Sequence, residues 1–114
     1  MTMMKEEWSK PEKEIARRAF KAAYNRECTA VLEEVRKMAA EGNDPTRIWQ
    51  IHDYLAEKQK EMGIKYDYRY SVLISVFARL ICEGWMNQEE LAGISEDKLQ
   101  EFKRVAEFYA ELLK

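Results

Sequence analysis

Residues 47–70 read RIWQIHDYLAEKQKEMGIKYDYRY, and they contain the only histidine and one of the three tryptophans of the sequence. Just before this segment, Asp44-Pro45 predicts the start of a helix, because Asp is a favoured N-cap and Pro suits the first helical position. At its far end Met62-Gly63 predicts a stop, because glycine readily adopts the left-handed conformation that ends many helices. We therefore expect a helix from Pro45 to Met62.

Projection of this helix at 3.6 residues per turn separates two neighbouring faces. One is an ordinary apolar face formed by Ile48, Ile51, Leu55 and Met62. The other lies about a third of a turn away and mixes a large aromatic ring with ionisable groups: Trp49, His52, Asp53, Ala56 and Lys60. Such mixtures are typical of protein-binding surfaces. A tryptophan at the edge of the core beside a solvated His-Asp pair is the alternative, and the residues alone leave both open.

The composition favours one helical domain. Charged residues make up 35% of the chain and hydrophobic ones 46%, whereas only 4 glycines and 2 prolines are present, too few for the turns of a sheet protein. A length of 114 residues fits a single domain, 1–114. The net charge of −2, with both signs interspersed, gives no electrostatic reason to bind nucleic acid or an anionic membrane. Without an apolar transmembrane or signal segment, the expected location is the cytoplasm, with no insertion into a membrane.

The first helix is predicted from its start and its apolar spacing. Ser9 suits the N-cap, and Trp8 is placed to staple back onto the first turn. The helix is expected to continue to about Ala40, before Gly42. Its apolar residues alternate in steps of four and three, as in the seam between two paired helices: Phe20, Tyr24, Cys28, Val31, Val35 and Met38.

Three further helices are predicted after residue 64. Asp67 is expected to cap a helix that ends at Gly84 and is apolar nearly all round, hence buried on most sides. Asn87 and Glu90 have capping-box spacing and predict a short helix. Ser95 is expected to cap a last helix whose apolar stripe is Leu99, Phe102, Ala106, Tyr109 and Leu113.

These elements predict an all-α fold with two parts. Residues 8–63 form a helical stalk for dimerisation and partner binding, and residues 64–114 form a compact head with its own core. The two stalk helices cannot cover each other's apolar faces completely. We therefore expect a homodimer in which a second copy covers Ile48 and Trp49.

Catalytic chemistry is not expected. His52-Asp53 invites comparison with metal-dependent phosphohydrolases, but such sites need further ligands and the chain has no second histidine. No glycine-rich phosphate loop is present. Cys28 and Cys82 lack C-x-x-C spacing and are expected to be buried free thiols. The start of the last helix, with Glu96 and Asp97, would repel DNA phosphates. No metal or cofactor is predicted.

Several segments together resemble the fluorescence recovery protein family of cyanobacteria. They are Trp8-Ser9, Ala23-Tyr24-x-Arg26-Glu27, Ile48-Trp49-x-Ile51-His52-Asp53-Tyr54-Leu55, Lys65-Tyr66-Asp67-x-Arg69-x-Ser71-Val72, Val76-Phe77-Ala78 and Glu83-Gly84. The resemblance covers about residues 8–100 in register. The Trp-x-x-His-Asp segment followed at this separation by Lys-Tyr-Asp-x-Arg is its specific part.

The resemblance implies a small helical dimer without enzymatic activity. Proteins of this family bind the photoactivated red form of the orange carotenoid protein, chiefly through its C-terminal domain. They detach it from the phycobilisome and speed its return to the orange resting form, which ends photoprotective (non-photochemical) quenching. The alternative is a dimeric helical scaffold of the same fold that binds a different stress or signalling protein.

The resemblance also implies roles for individual residues. The partner-binding residues would be Trp49, His52, Asp53, Gln59 and Lys60, and the dimer interface would contain Ile48, Trp49, Asp53 and Leu55. Family members often carry an arginine where this chain has Gln59; Lys60 is the nearest charge, but one helical step turns it about 100° around the axis. Some members carry a large aromatic residue where this chain has Ser75, so the head's part in binding is expected to differ.

Overall fold

The computed structural model describes residues 7–112, and the all-α prediction is confirmed. The helices are α1 (Lys10–Ala40), α2 (Arg47–Lys65), α3 (Leu73–Glu83) and α4 (Glu96–Leu112), with a 3₁₀ turn at Gln88–Leu91. The molecule is elongated, with extents of 60 × 31 × 23 Å. Among the helices within 7–112, none combines the length and the apolar character that crossing a membrane requires.

The start of α1 is a complete capping box. The Ser9 N–H donates to Glu12 Oε1 at 2.9 Å, and the Glu12 N–H donates to Ser9 Oγ at 3.2 Å. Trp8 packs differently from the expected staple. Its ring lies 5.7 Å from that of Tyr70 and 6.3 Å from that of Phe102, so it joins the core of the head.

A row of alanines forms the buried face of α1. Ala16, Ala19 and Ala23 are almost completely buried, whereas the predicted seam is only partly covered and its Tyr24 is exposed. Their small side chains let other residues of the head core pack against this face of α1. The core of the head is therefore not confined to residues 64–114, because it includes the first half of α1.

The boundaries of α2 differ from the prediction at both ends. Asp44 closes a turn before the helix: its Oδ1 accepts from the Thr46 N–H at 3.0 Å, and α2 begins one residue later. Gly63 lies inside the helix rather than ending it in the left-handed conformation. Because Lys65 is buried against other elements, tertiary contacts hold α2 helical past its glycine.

The start of α3 was also predicted too early. Asp67 binds the Arg69 guanidinium at 2.6 Å instead of capping a helix, and α3 begins at Leu73. Its end at Gly84 is confirmed, with a left-handed φ of 88°. The helix is central to the core as expected, because its large apolar side chains are completely buried: Leu73, Phe77 and Leu80.

The predicted caps after α3 are confirmed. The Asn87 N–H donates to the Glu90 carboxylate at 2.9 Å at the start of the 3₁₀ turn. Ser95 Oγ accepts from the Lys98 N–H at 3.5 Å at the start of α4. Phe102 then anchors α4 in the core. The last residue of the predicted stripe, Leu113, lies outside the described residues.

Candidate functional site

The residues of the mixed face lie together on the surface of α2. Trp49 is 63% exposed, and the side chains of His52 and Asp53 are 71% and 83% exposed. Residues spaced three and four apart on a helix project to the same side, so the three side chains form one patch. Most of the Trp49 ring is therefore in contact with solvent, and it offers a large apolar surface beside two polar groups.

The polar pair in this patch makes a long contact that is open to solvent. His52 Nδ1 lies 3.3 Å from Asp53 Oδ1, a long contact between two solvent-exposed neighbours. Within residues 7–112 no group of three or more His, Cys, Asp or Glu side chains is arranged to hold a metal ion. The pair is therefore suited to hydrogen bonding with a partner.

Gln59 and Lys60 extend the surface of α2 toward its C-terminal end, and both are exposed. The neighbouring Lys58 is partly neutralised by Glu61, at 3.5 Å. Lys60 has no carboxylate within ion-pair distance in the described part of the chain, so it remains available to a partner.

Apolar side chains border the patch. On α2, Ile48 is 56% exposed and Leu55 is 41% exposed, and Leu32 is exposed on the paired helix α1. Large apolar groups exposed on two neighbouring helices are typical of surfaces that bind other proteins.

Polar contacts anchor the N-terminal end of α2. Arg47 Nε donates to the Met38 carbonyl oxygen at 2.9 Å, and the same guanidinium pairs with Glu41 and donates to Gln50 Oε1. These bonds tie α2 to the end of α1 immediately beside Ile48 and Trp49, and so fix the position of the patch.

A buried charge cluster anchors the other end of α2. Lys65 Nζ lies 2.8 Å from Glu27 Oε2 and 2.7 Å from Glu83 Oε1, and the side chains of Lys65 and Glu27 are only 6% and 4% exposed. Tyr66 donates its hydroxyl hydrogen to Glu27 Oε1 at 2.8 Å. Burial, together with the adjacent Glu27 carboxylate, raises the pKa of Tyr66. The pKa of Glu83 is lowered: burial opposes this, but Lys65 and Arg79 outweigh it.

This cluster could not be predicted from the sequence. Its charged members come from α1, α2 and α3, and Glu27 and Lys65 are 38 residues apart, so no spacing rule connects them. The hydrogen bond between Glu12 and the Ser9 N–H was also not predicted, although the sequence indicates it. Ser9 followed three residues later by Glu12 is the capping-box pattern. Cys28 and Cys82 are free thiols as expected, but each is half-buried rather than fully buried.

Comparison with known proteins identifies the family. The family model described as photoprotection regulator fluorescence recovery protein matches residues 8–106. A curated fluorescence recovery protein from Synechocystis sp. is 38% identical over 99 residues, which cover 87% of this chain and 91% of that protein. The solved structure of the Fremyella diplosiphon protein is 42% identical with a TM-score of 0.80, and covers 89% of this chain and 99% of its own.

The solved structure of the fluorescence recovery protein from Synechocystis sp. gives a TM-score of 0.81 at 38% identity, with the same coverage of both chains. Sequence and fold thus agree over nearly the whole length of these relatives. The chain belongs to the fluorescence recovery protein family of photoprotection regulators.

Proposed function

We propose that this protein is a non-enzymatic regulator of the orange carotenoid protein. It binds the photoactivated red form, chiefly at the C-terminal domain, detaches it from the phycobilisome in the cyanobacterial cytosol and speeds its return to the orange form. Membership of a family of photoprotection regulators supports this proposal. The single structural observation that carries it is the exposed patch of Trp49, His52 and Asp53 on α2.

Acceleration without bond chemistry requires differential binding. The regulator must bind the transition state for closing the partner's domains more tightly than it binds the red state itself. The Trp49 ring would serve as the anchor, since large aromatic side chains dominate the energetics of many interfaces. His52, Asp53, Gln59 and Lys60 would surround it with polar contacts.

The active unit is proposed to be a homodimer. The apolar border of the patch, Ile48 and Leu55, would pair with a second copy, with Trp49 and Asp53 at the edge of that interface. Such pairing would cover apolar surface that a single copy leaves in contact with water. A symmetric dimer would also present two copies of the patch.

The head is proposed to make a second contact, so that the protein bridges two domains of its partner. Ser75, which replaces the aromatic residue of some relatives, lies 3.0 Å from the Tyr109 hydroxyl oxygen. The ring of Tyr109 therefore lies beside Ser75, whose small side chain offers a partner little contact area. Tyr109 would supply part of the partner contact that the aromatic residue makes in those relatives.

The test is the dark recovery of a photoactivated orange carotenoid protein, followed by its absorbance. The wild-type protein should accelerate the red-to-orange return at substoichiometric amounts. Trp49→Ala should reduce this acceleration by about tenfold or more. Phe108→Ala is the matched control, because Phe108 is an aromatic residue of similar exposure, 61% against 63%, and projects about 100° around α4 from Tyr109. It should retain the activity.

Two results would contradict the proposal. Equal acceleration by Trp49→Ala and wild type would remove the patch from the mechanism. No acceleration by the wild type, with carotenoid proteins of several subtypes, would instead favour a scaffold of the same fold with a different partner.

A further inference from the structure

The first three turns of α1 carry a concentration of exposed cations without carboxylate partners. In the described part of the chain none of these five lies within ion-pair distance of an acidic group: Lys10, Lys13, Arg17, Arg18 and Lys21. Cations elsewhere are commonly paired, as Arg26 is with Glu90 at 2.6 Å and Arg104 with Glu101 at 2.6 Å. Cations without an ion-pair partner are therefore concentrated in one place.

Four of these residues form a continuous stripe, which we call the basic face: Lys10, Lys13, Arg17 and Lys21. Their spacing of three, four and four residues places them along one side of the helix over roughly 16 Å. The patch on α2 is far away, because Arg47 ties it to Met38 near the opposite end of α1. From Lys21 to Met38 the helix rises roughly 25 Å.

Two tyrosine rings organise the basic face. Lys13 Nζ lies 5.2 Å from the centre of the Tyr70 ring, and the Arg17 guanidinium carbon lies 4.7 Å from that of Tyr68. These contacts restrict two long side chains before any partner arrives, which lowers the entropic cost of binding.

We propose that the basic face binds a carboxylate-rich surface of a partner protein. The basic face is better suited to bind a protein surface that carries both signs of charge than a uniform polyanion. Glu14 projects within the same stripe and would repel a continuous row of phosphates. A protein partner can instead place a basic residue opposite it. The overall net charge of −2 also disfavours nucleic acid and anionic membranes. This assignment does not depend on the partner proposed for the α2 patch.

The test measures binding of a fluorescein-labelled acidic peptide with one central lysine, five glutamates followed by lysine and four more glutamates, to the full chain by fluorescence anisotropy. Lys10→Glu/Lys21→Glu reverses two charges of the basic face without touching the tyrosine-bound pair. It should fold normally, because an acidic residue is favourable in the first turn of a helix and Lys21 is exposed. Lys37→Glu/Lys103→Glu changes the net charge equally at two other exposed lysines. Circular dichroism verifies folding of both.

The dissociation constant of the peptide should rise about tenfold in the basic-face variant and stay near the wild-type value in the control. It should also rise with salt, as expected for exposed charges. An equal effect of both variants would overturn the proposal, because it would reflect net charge alone. A larger basic-face effect on duplex DNA or phosphatidylserine vesicles than on the peptide would overturn the choice of a protein partner.

Discussion

At the scale of single residues, buried charges hold the helices together. Lys65 is shared between Glu27 and Glu83, so one ammonium group joins α2 to both α1 and α3. Glu12 joins the starts of α1 and α4: it accepts from the Ser9 N–H at 2.9 Å, accepts from the Ser95 N–H at 2.8 Å and lies 3.3 Å from Lys98 Nζ. Buried charges of this kind are costly when one partner is removed, so they make sharp tests of the structure.

Lys65→Met should lower the free energy of unfolding by about 3–5 kcal/mol, because it leaves Glu27 buried without its cation. Urea unfolding followed by circular dichroism measures the change. The double variant Glu27→Gln/Lys65→Met should recover part of the loss, since no unpaired charge then remains buried. Lys103→Met, at an exposed lysine, should have little effect. A Lys65 variant as stable as that control would show that the cluster contributes nothing to folding.

Glu12 should make the free energy of unfolding depend on pH. Burial tends to raise its pKa, but hydrogen bonds from the Ser9 and Ser95 N–H groups, together with Lys98, outweigh burial and lower it from 4.5 to about 2. The folded state then binds fewer protons than the unfolded state between these values. The stabilisation is therefore complete above pH 4.5 and is lost as the pH falls toward 2.

Urea unfolding across this pH range tests the dependence. Glu12→Gln should flatten the decline in stability, whereas Glu34→Gln, at an exposed position of α1, should leave it unchanged. If the free energy of unfolding falls equally steeply in both variants, carboxylates other than Glu12 cause the acid sensitivity.

At the scale of elements, two glycines show why helix ends were only partly predictable. Both looked like stop signals in the sequence. Gly84 ends α3 in the left-handed conformation, as expected. Gly63 stays inside α2, because Met62 and Lys65 on either side of it are buried against the rest of the molecule. Tertiary burial here outweighs the local preference of glycine.

The same substitution should therefore have opposite effects at the two positions. Gly63→Ala should raise the free energy of unfolding by about 0.5–1 kcal/mol, because alanine is the better helix former and no atom lies within 4 Å of the added Cβ. Gly84→Ala should lower it by about 1–2 kcal/mol, since a side chain is strained at a φ of 88°. Thermal unfolding measures both. A destabilising Gly63→Ala would mean that the glycine is needed where α2 ends.

At the scale of the whole molecule, its elongated shape leaves apolar side chains of α1 and α2 uncovered. Ile48→Glu should convert the proposed dimer into a monomer, because it would bury a carboxylate without a partner. Sedimentation velocity measures the change. Leu112→Glu is the control, since Leu112 is similarly exposed on α4, away from the proposed interface. A dimeric Ile48→Glu protein, or a monomeric wild type, would contradict the proposed interface.

The helical class, the order of the helices and the common face of Trp49, His52 and Asp53 could be predicted from the sequence, whereas the exposure of that face could not. These features depend on local signals: caps, glycine stops and a 3.6-residue period are all contained in a few consecutive residues. The spacing of the motifs between residues 48 and 69 also predicted the family, and the comparisons confirm it.

Tertiary packing determines where α2 ends, which face of α1 joins the core and how the charges pair. The alanine face of α1 joins the core of the head, because small side chains let neighbouring residues pack against it, although the apolar seam looked stronger in the sequence. The cluster of Lys65, Glu27 and Glu83 joins residues far apart in the chain. No local pattern encodes such a contact, because it exists only once three separate helices have packed.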